Sequence, residues 1–127
     1  MNGKVQIQLG GQTRWLWFNN YSREELGKVY GTDPLVAGKL FAEQLQANAI
    51  RAFSFLVWAG LMGHEYGNMQ DPTYTKQEVA GWVATCEVDE LMKVWDVWLD
   101  HSGMRELISS EKKSNQRTKK TSPGKRS

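Results

Sequence analysis

Apolar and polar residues alternate at the start of the chain, with Gln6 and Gln8 set between Val5, Ile7 and Leu9. A period of two is the mark of a half-buried strand. Gly10-Gly11 follows, a pair that turns hairpins. A second strand over Gln12 to Phe18 then puts Leu16 and Phe18 on one face and Thr13, Trp15 and Trp17 on the other.

Beyond the hairpin the period becomes helical. Ser22 and Glu25 have capping-box spacing and open a short helix that ends by Gly31. Asp33-Pro34 is an N-cap followed by proline at the first helical position. That helix runs to about Gln46 and turns Val36, Ala37, Leu40, Phe41 and Leu45 inward. Asn48 to Met62 reads as the central helix. Ile50, Phe53, Val57 and Leu61 line one side, and Phe55, Trp58 and Met62 another. A helix apolar on most sides is normally the buried one, and Gly60 and Gly63 mark its end. His64 to Tyr74 is expected to be a polar loop. Thr75 and Glu78 make a second capping box, and the helix behind it carries Val79, Trp82, Val83 and Cys86 on one stripe. Asp89 caps the last helix, with Leu91, Val94, Trp95, Trp98 and Leu99 on its apolar side. Ser102-Gly103 is a candidate break, and Met104 to Ile108 a final turn. The expected fold is α+β and mostly helical: an N-terminal β-hairpin packed on a four- or five-helix domain over residues 1–110.

Charge changes this picture at the end of the chain. Residues 112–127 hold seven bases and no acid, which leaves nine bases against fourteen acids in 1–111. An acidic body argues against a nucleic-acid surface on the domain itself. From residue 111 onward almost every residue is polar, glycine or proline. Such a stretch buries too little apolar area to offset its ordering entropy, so 111–127 is expected to be a disordered basic tail. Cys86 is the only cysteine, which rules out an internal disulfide and points to a reducing compartment. Residues 1–11 have no signal-peptide core. The most apolar stretch, Ala52 to Gly63, falls short of the roughly 20 residues that span a bilayer. These features lead us to expect a soluble, cytoplasmic protein.

The candidate chemistry is sparse. His64-Glu65 begins like a zinc-protease motif, but position 68, where the second histidine would stand, is Asn68. Cys86 lies on an apolar stripe beside Glu87 and Asp89, the setting of a buried structural thiol rather than a nucleophile. Glu24-Glu25 and Asp89-Glu90 fall in first helical turns, where acids favour the helix dipole. Gly10-Gly11 leads into a strand, so it is not a phosphate loop. We therefore expect no enzyme activity, no cofactor and no metal. The tryptophans are the unusual feature. Trp58, Trp82, Trp95 and Trp98 hold core positions of helices. Trp15 and Trp17 share the face of the hairpin opposite Leu16 and Phe18, so either they contact a partner or a further helix covers them.

The order of these elements resembles the tail assembly chaperones of long-tailed bacteriophages and gene transfer agents. The resemblance rests on Leu9-Gly10-Gly11 with Arg14, Leu16 and Phe18, and on Arg51-Ala52-Phe53 with Val57-Trp58-Ala59-Gly60-Leu61. Thr75, Glu78, Val79 and Trp82 complete it, and it covers about residues 5–108. It implies a non-catalytic protein of the host cell cytoplasm that binds the tape measure protein and helps recruit tail tube subunits during virion morphogenesis. Such a protein is absent from the mature virion. The resemblance also implies a frameshifted longer isoform, for which Lys112-Lys113, Lys119-Lys120 and Gly124-Lys125 offer slippery codon sites. Partner binding is assigned to Trp15 and Trp17, and self-association into a homo-oligomer is left open. The alternative is a small nucleic-acid-associated phage or bacterial protein that acts through the basic tail.

Overall fold

A computed structural model describes residues 3–102, with positions 34 and 35 described by backbone alone. The expected turn at 104–108 and the expected tail at 111–127 lie outside these residues. The elements are β1 (Lys4–Leu9), β2 (Gln12–Trp17), α1 (Asn20–Tyr30), α2 (Pro34–Ala47), α3 (Ala49–Gly67), α4 (Lys76–Ala84) and α5 (Val88–Ser102). The fold is α+β, a hairpin packed on five helices.

The hairpin pairs antiparallel, from Lys4↔Trp17 to Leu9↔Gln12. Gly10 and Gly11 take φ of 62° and 77°, the left-handed values that a two-residue type I′ turn requires. Ile7, Leu9, Leu16 and Phe18 are buried on the inner face. Two glycines of α3 let that face approach. A methyl on Gly60 would come within 2.9 Å of Leu16 Cδ2, and one on Gly63 would overlap the Trp17 carbonyl oxygen. These glycines are contact points, and they do not end the helix. α3 runs on to Gly67, so His64–Gly67, expected in a loop, form its last turn.

The start of α1 also differs from expectation. Asn19 is the N-cap. Its side chain accepts from the Ser22 amide at 3.1 Å, and Ser22 Oγ accepts from the Asn19 amide at 2.8 Å. Ser22 is therefore the third residue of the helix, and Glu25 is free for another role. Glu25 is buried, accepts from Trp58 Nε1 at 3.2 Å and pairs with Lys28 at 3.0 Å.

In α2, Asp33 caps as expected, accepting from the Val36 amide at 3.2 Å. Ala37 and Phe41 are buried, and Leu40 and Leu45 are half-buried. Val36, expected inward, is exposed; among the described residues of α2 it is Ala37 and Phe41 that are fully buried. Ile50 is exposed too, since it sits in the first turn of α3, before the buried run starts at Ala52. The Thr75–Glu78 capping box of α4 is present, and Val79 and Val83 are buried behind it. α5 begins at Val88, so Asp89 lies inside its first turn and complements the helix dipole instead of capping. Leu91, Val94, Trp98 and Leu99 are buried, while Trp95 is half-buried, 5.8 Å from the Trp98 ring. Cys86 is half-buried rather than buried. It follows the α4 cap at Thr85, and its thiol donates to the Gln8 carbonyl at 3.6 Å.

Candidate partner-binding face of the hairpin

Each strand residue on the outer hairpin face has a cross-strand neighbour: Lys4 faces Trp17, Gln6 faces Trp15 and Gln8 faces Thr13. Trp15 is 44% exposed, and its only direct neighbour across the ladder is a glutamine. Trp17 is half-buried. Lys4 Nζ stands 4.4 Å from the centre of its ring, a cation–π contact. The ring edge meets the end of α3, where a methyl on Gly67 would come within 2.6 Å of Trp17 Cζ3. The two indoles share a face, as the alternation requires, but only Trp15 is a free projection. Trp17 is part of the seat between hairpin and α3.

A second set of apolar residues is exposed between α1 and the end of α3. Tyr21 is exposed and meets the half-buried Tyr66 edge-on, with ring centres 6.0 Å apart. Met69 is 96% exposed and holds φ at 58°, a left-handed value that a non-glycine residue seldom adopts. Together with Glu24, Lys28 and Asp71 they border a shallow cleft of ≈ 430 Å³. Sequence reasoning missed them for one reason: a central helix ended at Met62 leaves Tyr66 in a loop, away from Tyr21. Met69, a lone apolar residue between Asn68 and Gln70, was the available signal.

The inner face fastens the hairpin to the helices. The Arg14 guanidinium lies 4.2 Å from the Trp82 ring centre and 5.4 Å from that of Tyr74, and its Nε donates to the Leu9 carbonyl at 3.0 Å. Trp82 also fills the space beside Gly10, where a methyl would come within 2.7 Å of its ring. Tyr74 donates its hydroxyl to Glu65 at 2.8 Å. Burial and then that bond push the Tyr74 hydroxyl far above its ordinary range, so it stays a donor. Gly10 and Arg14 of the hairpin and Trp82, distant in sequence, thus form one latch. The free edge of β1 is also held: the Gln8 amide donates to Glu90 Oε1 at 2.7 Å. Lys93, 2.7 Å from the same carboxylate, together with the Gln8 amide holds Glu90 below the usual carboxyl range.

The His64 ring faces Asn68 Nδ2 at 3.3 Å, one turn along α3. Among the described residues no three His, Cys, Asp or Glu side chains converge on a common point. Burial, then Glu90 and Glu87, push the Cys86 thiol up, which disfavours the nucleophilic thiolate. A second cleft of ≈ 240 Å³ opens between Phe18, Leu26, Leu56 and Trp98, with Arg23 and His101 among its lining. Ligand pockets usually measure about 300–1,000 Å³ and hold several convergent polar groups. No described helix is long and apolar enough to cross a membrane. Comparison of the chain with known proteins finds no matching family model, no matching curated protein and no matching solved structure.

Proposed function

We propose that this chain is a phage tail assembly chaperone, a non-catalytic protein that holds the tape measure protein soluble and helps bring tail tube subunits to it. The observation that carries the reading is the outer hairpin face, where the exposed Trp15 stands beside a Trp17 anchored on α3. An indole on a rigid support is suited to capture apolar surface, because little side-chain freedom is lost on contact. Tyr21, Tyr66 and Met69 add a second apolar surface, bordered by Glu24, Lys28 and Asp71. Covering an amphipathic helix calls for such aromatic and methionine contacts. The motif residues behind the resemblance agree with a hairpin that must stay seated while its other face works: Gly10 and Arg14 meet Trp82, and Leu16 meets Gly60.

The test is co-expression with the product of the longest helical reading frame encoded beside this chain. The reading expects a soluble complex that persists in about 1 M salt, where the Debye length is about 3 Å and charge attraction is largely screened. A partner that stays insoluble sinks the proposal. Retention of nucleic acid that is lost steeply as salt rises would favour the basic-tail alternative.

A further inference from the structure

The two edges of the hairpin are not equivalent. The Phe18 amide donates to the Gly3 carbonyl at 2.8 Å, so Gly3 and Phe18 are a bonded pair. Bonded and non-bonded pairs alternate along an antiparallel ladder. The registered pairs Gln6↔Trp15 and Gln8↔Thr13 are therefore non-bonded, and their backbone groups point away from the hairpin. On β1 this edge is occupied at Gln8. Glu90 takes the Gln8 amide at 2.7 Å, and Cys86 donates to the Gln8 carbonyl at 3.6 Å. On β2, no described residue bonds the outward N–H or C=O of Thr13 or Trp15. The edge stops at Trp17, whose carbonyl lies against Gly63 of α3. Thr13 and Trp15 are both exposed. An unpaired, exposed edge is a template for another strand.

We propose that β2 takes up an extended segment of the partner protein by strand addition along Thr13–Trp15. Two donors and two acceptors in alternation specify an extended backbone, because a helix has already spent its own. The residue bonded opposite Trp15 sets its side chain beside the indole and is therefore apolar or aromatic. A second copy of this chain is a poor occupant. An antiparallel copy that pairs Thr13 with Trp15 puts Arg14 opposite Arg14, like charges that repel. The inference rests on the reading that Trp15 belongs to a protein-binding surface, and it assigns an extended conformation to the segment that meets the edge, a part of the partner distinct from any helix that the aromatic residues cover.

The probes are synthetic peptides of about ten residues, the upper length of common strands, with apolar side chains at alternate positions. Each is made unmodified and with alternate amides N-methylated, and each is titrated into the full chain while amide exchange is followed by NMR. Unmodified peptides should slow exchange at Thr13 and Trp15, and N-methylation in the bonding register should abolish the effect. Thr13→Pro keeps both tryptophans and removes one outward donor, a change that an edge strand tolerates. It should weaken peptide binding at least about tenfold, or 1.4 kcal/mol. Three results overturn the proposal: no protection at about 1 mM peptide, equal binding by N-methylated peptides, or protection of these amides in a peptide-free dimer. Binding that needs Trp15 but ignores N-methylation would overturn strand addition while leaving the protein-binding reading intact. If Trp15→Ser changes no binding at all, that reading fails as well.

Discussion

Trp15 and Trp17 carry the same residue type two positions apart, yet their surroundings divide their roles. Trp15 projects from the outer face, whereas Trp17 is fixed between Lys4 and Gly67. Trp15→Ser should change stability by no more than about 0.5 kcal/mol, the usual range for surface positions. Trp17→Ser should lower the melting temperature clearly, because it empties the contact with α3. Thermal unfolding of the two single variants separates these outcomes. In the core, Trp58→Ala should cost about 3–5 kcal/mol. Glu25→Ala should cost about 1–3 kcal/mol, since it leaves the buried Trp58 Nε1 donor without its acceptor. Urea unfolding measures both, and a Glu25→Ala chain as stable as wild type would mean that water replaces the carboxylate. Alternation along the sequence is enough to place the two hairpin indoles on one face. It gives no information on how much of each is covered, because the cover comes from Gly67, fifty residues away.

At the scale of elements, the glycines of α3 show why helix ends are hard to read. Gly60 and Gly63 have the composition of a terminator, but the space beside them is taken by Leu16 and Trp17 of a strand far off in sequence. Gly81 offers a control within α4, with nothing within 4 Å of its missing side chain. Gly81→Ala should stabilise by roughly 0.5–1 kcal/mol through helix propensity. Gly63→Ala should destabilise strongly, because the hairpin must lift away from α3. If Gly63→Ala were instead neutral or stabilising, the helix-end reading would stand and the packing would be wrong. The helix caps divide in the same way. Thr75–Glu78 could be read directly because both members of the box are local. Asn19 was missed because Ser22–Glu25 has the same spacing, and only the Trp58 indole shows where Glu25 belongs.

Glu90 links α5 to the edge of β1 and gives the hairpin contact a pH dependence. Lys93 and then the Gln8 amide depress its folded pKa below the ordinary 4.5. The unfolded chain thus binds the proton more readily. The stabilisation is present above about 4.5 and is lost as pH falls through the lower folded value. Melting temperatures of wild type and Glu90→Gln should differ near neutrality and converge in acid. A gap that stays constant into acid would show that the carboxylate charge plays no part.

For the whole molecule, the α+β class, the hairpin and the helix order were legible because strand alternation and helical stripes are local patterns. The surface formed by Tyr21, Tyr66 and Met69 was not, since it depends on the length of α3 and on a loop backbone at positive φ. The basic stretch 112–127 has no apolar periodicity, so its deletion should leave the melting temperature unchanged. Mass spectrometry of the protein made from its native gene would show whether a longer frameshifted product accompanies the form ending at Ser127.

The central claim is that the outer hairpin face captures a protein partner. Calorimetric titration of the partner defined by co-expression into wild type and Trp15→Ser tests it most directly, with thermal unfolding run on the same samples. The account predicts at least about a tenfold loss of affinity, 1.4 kcal/mol, with the melting temperature unchanged. Equal affinity in the two proteins would contradict it.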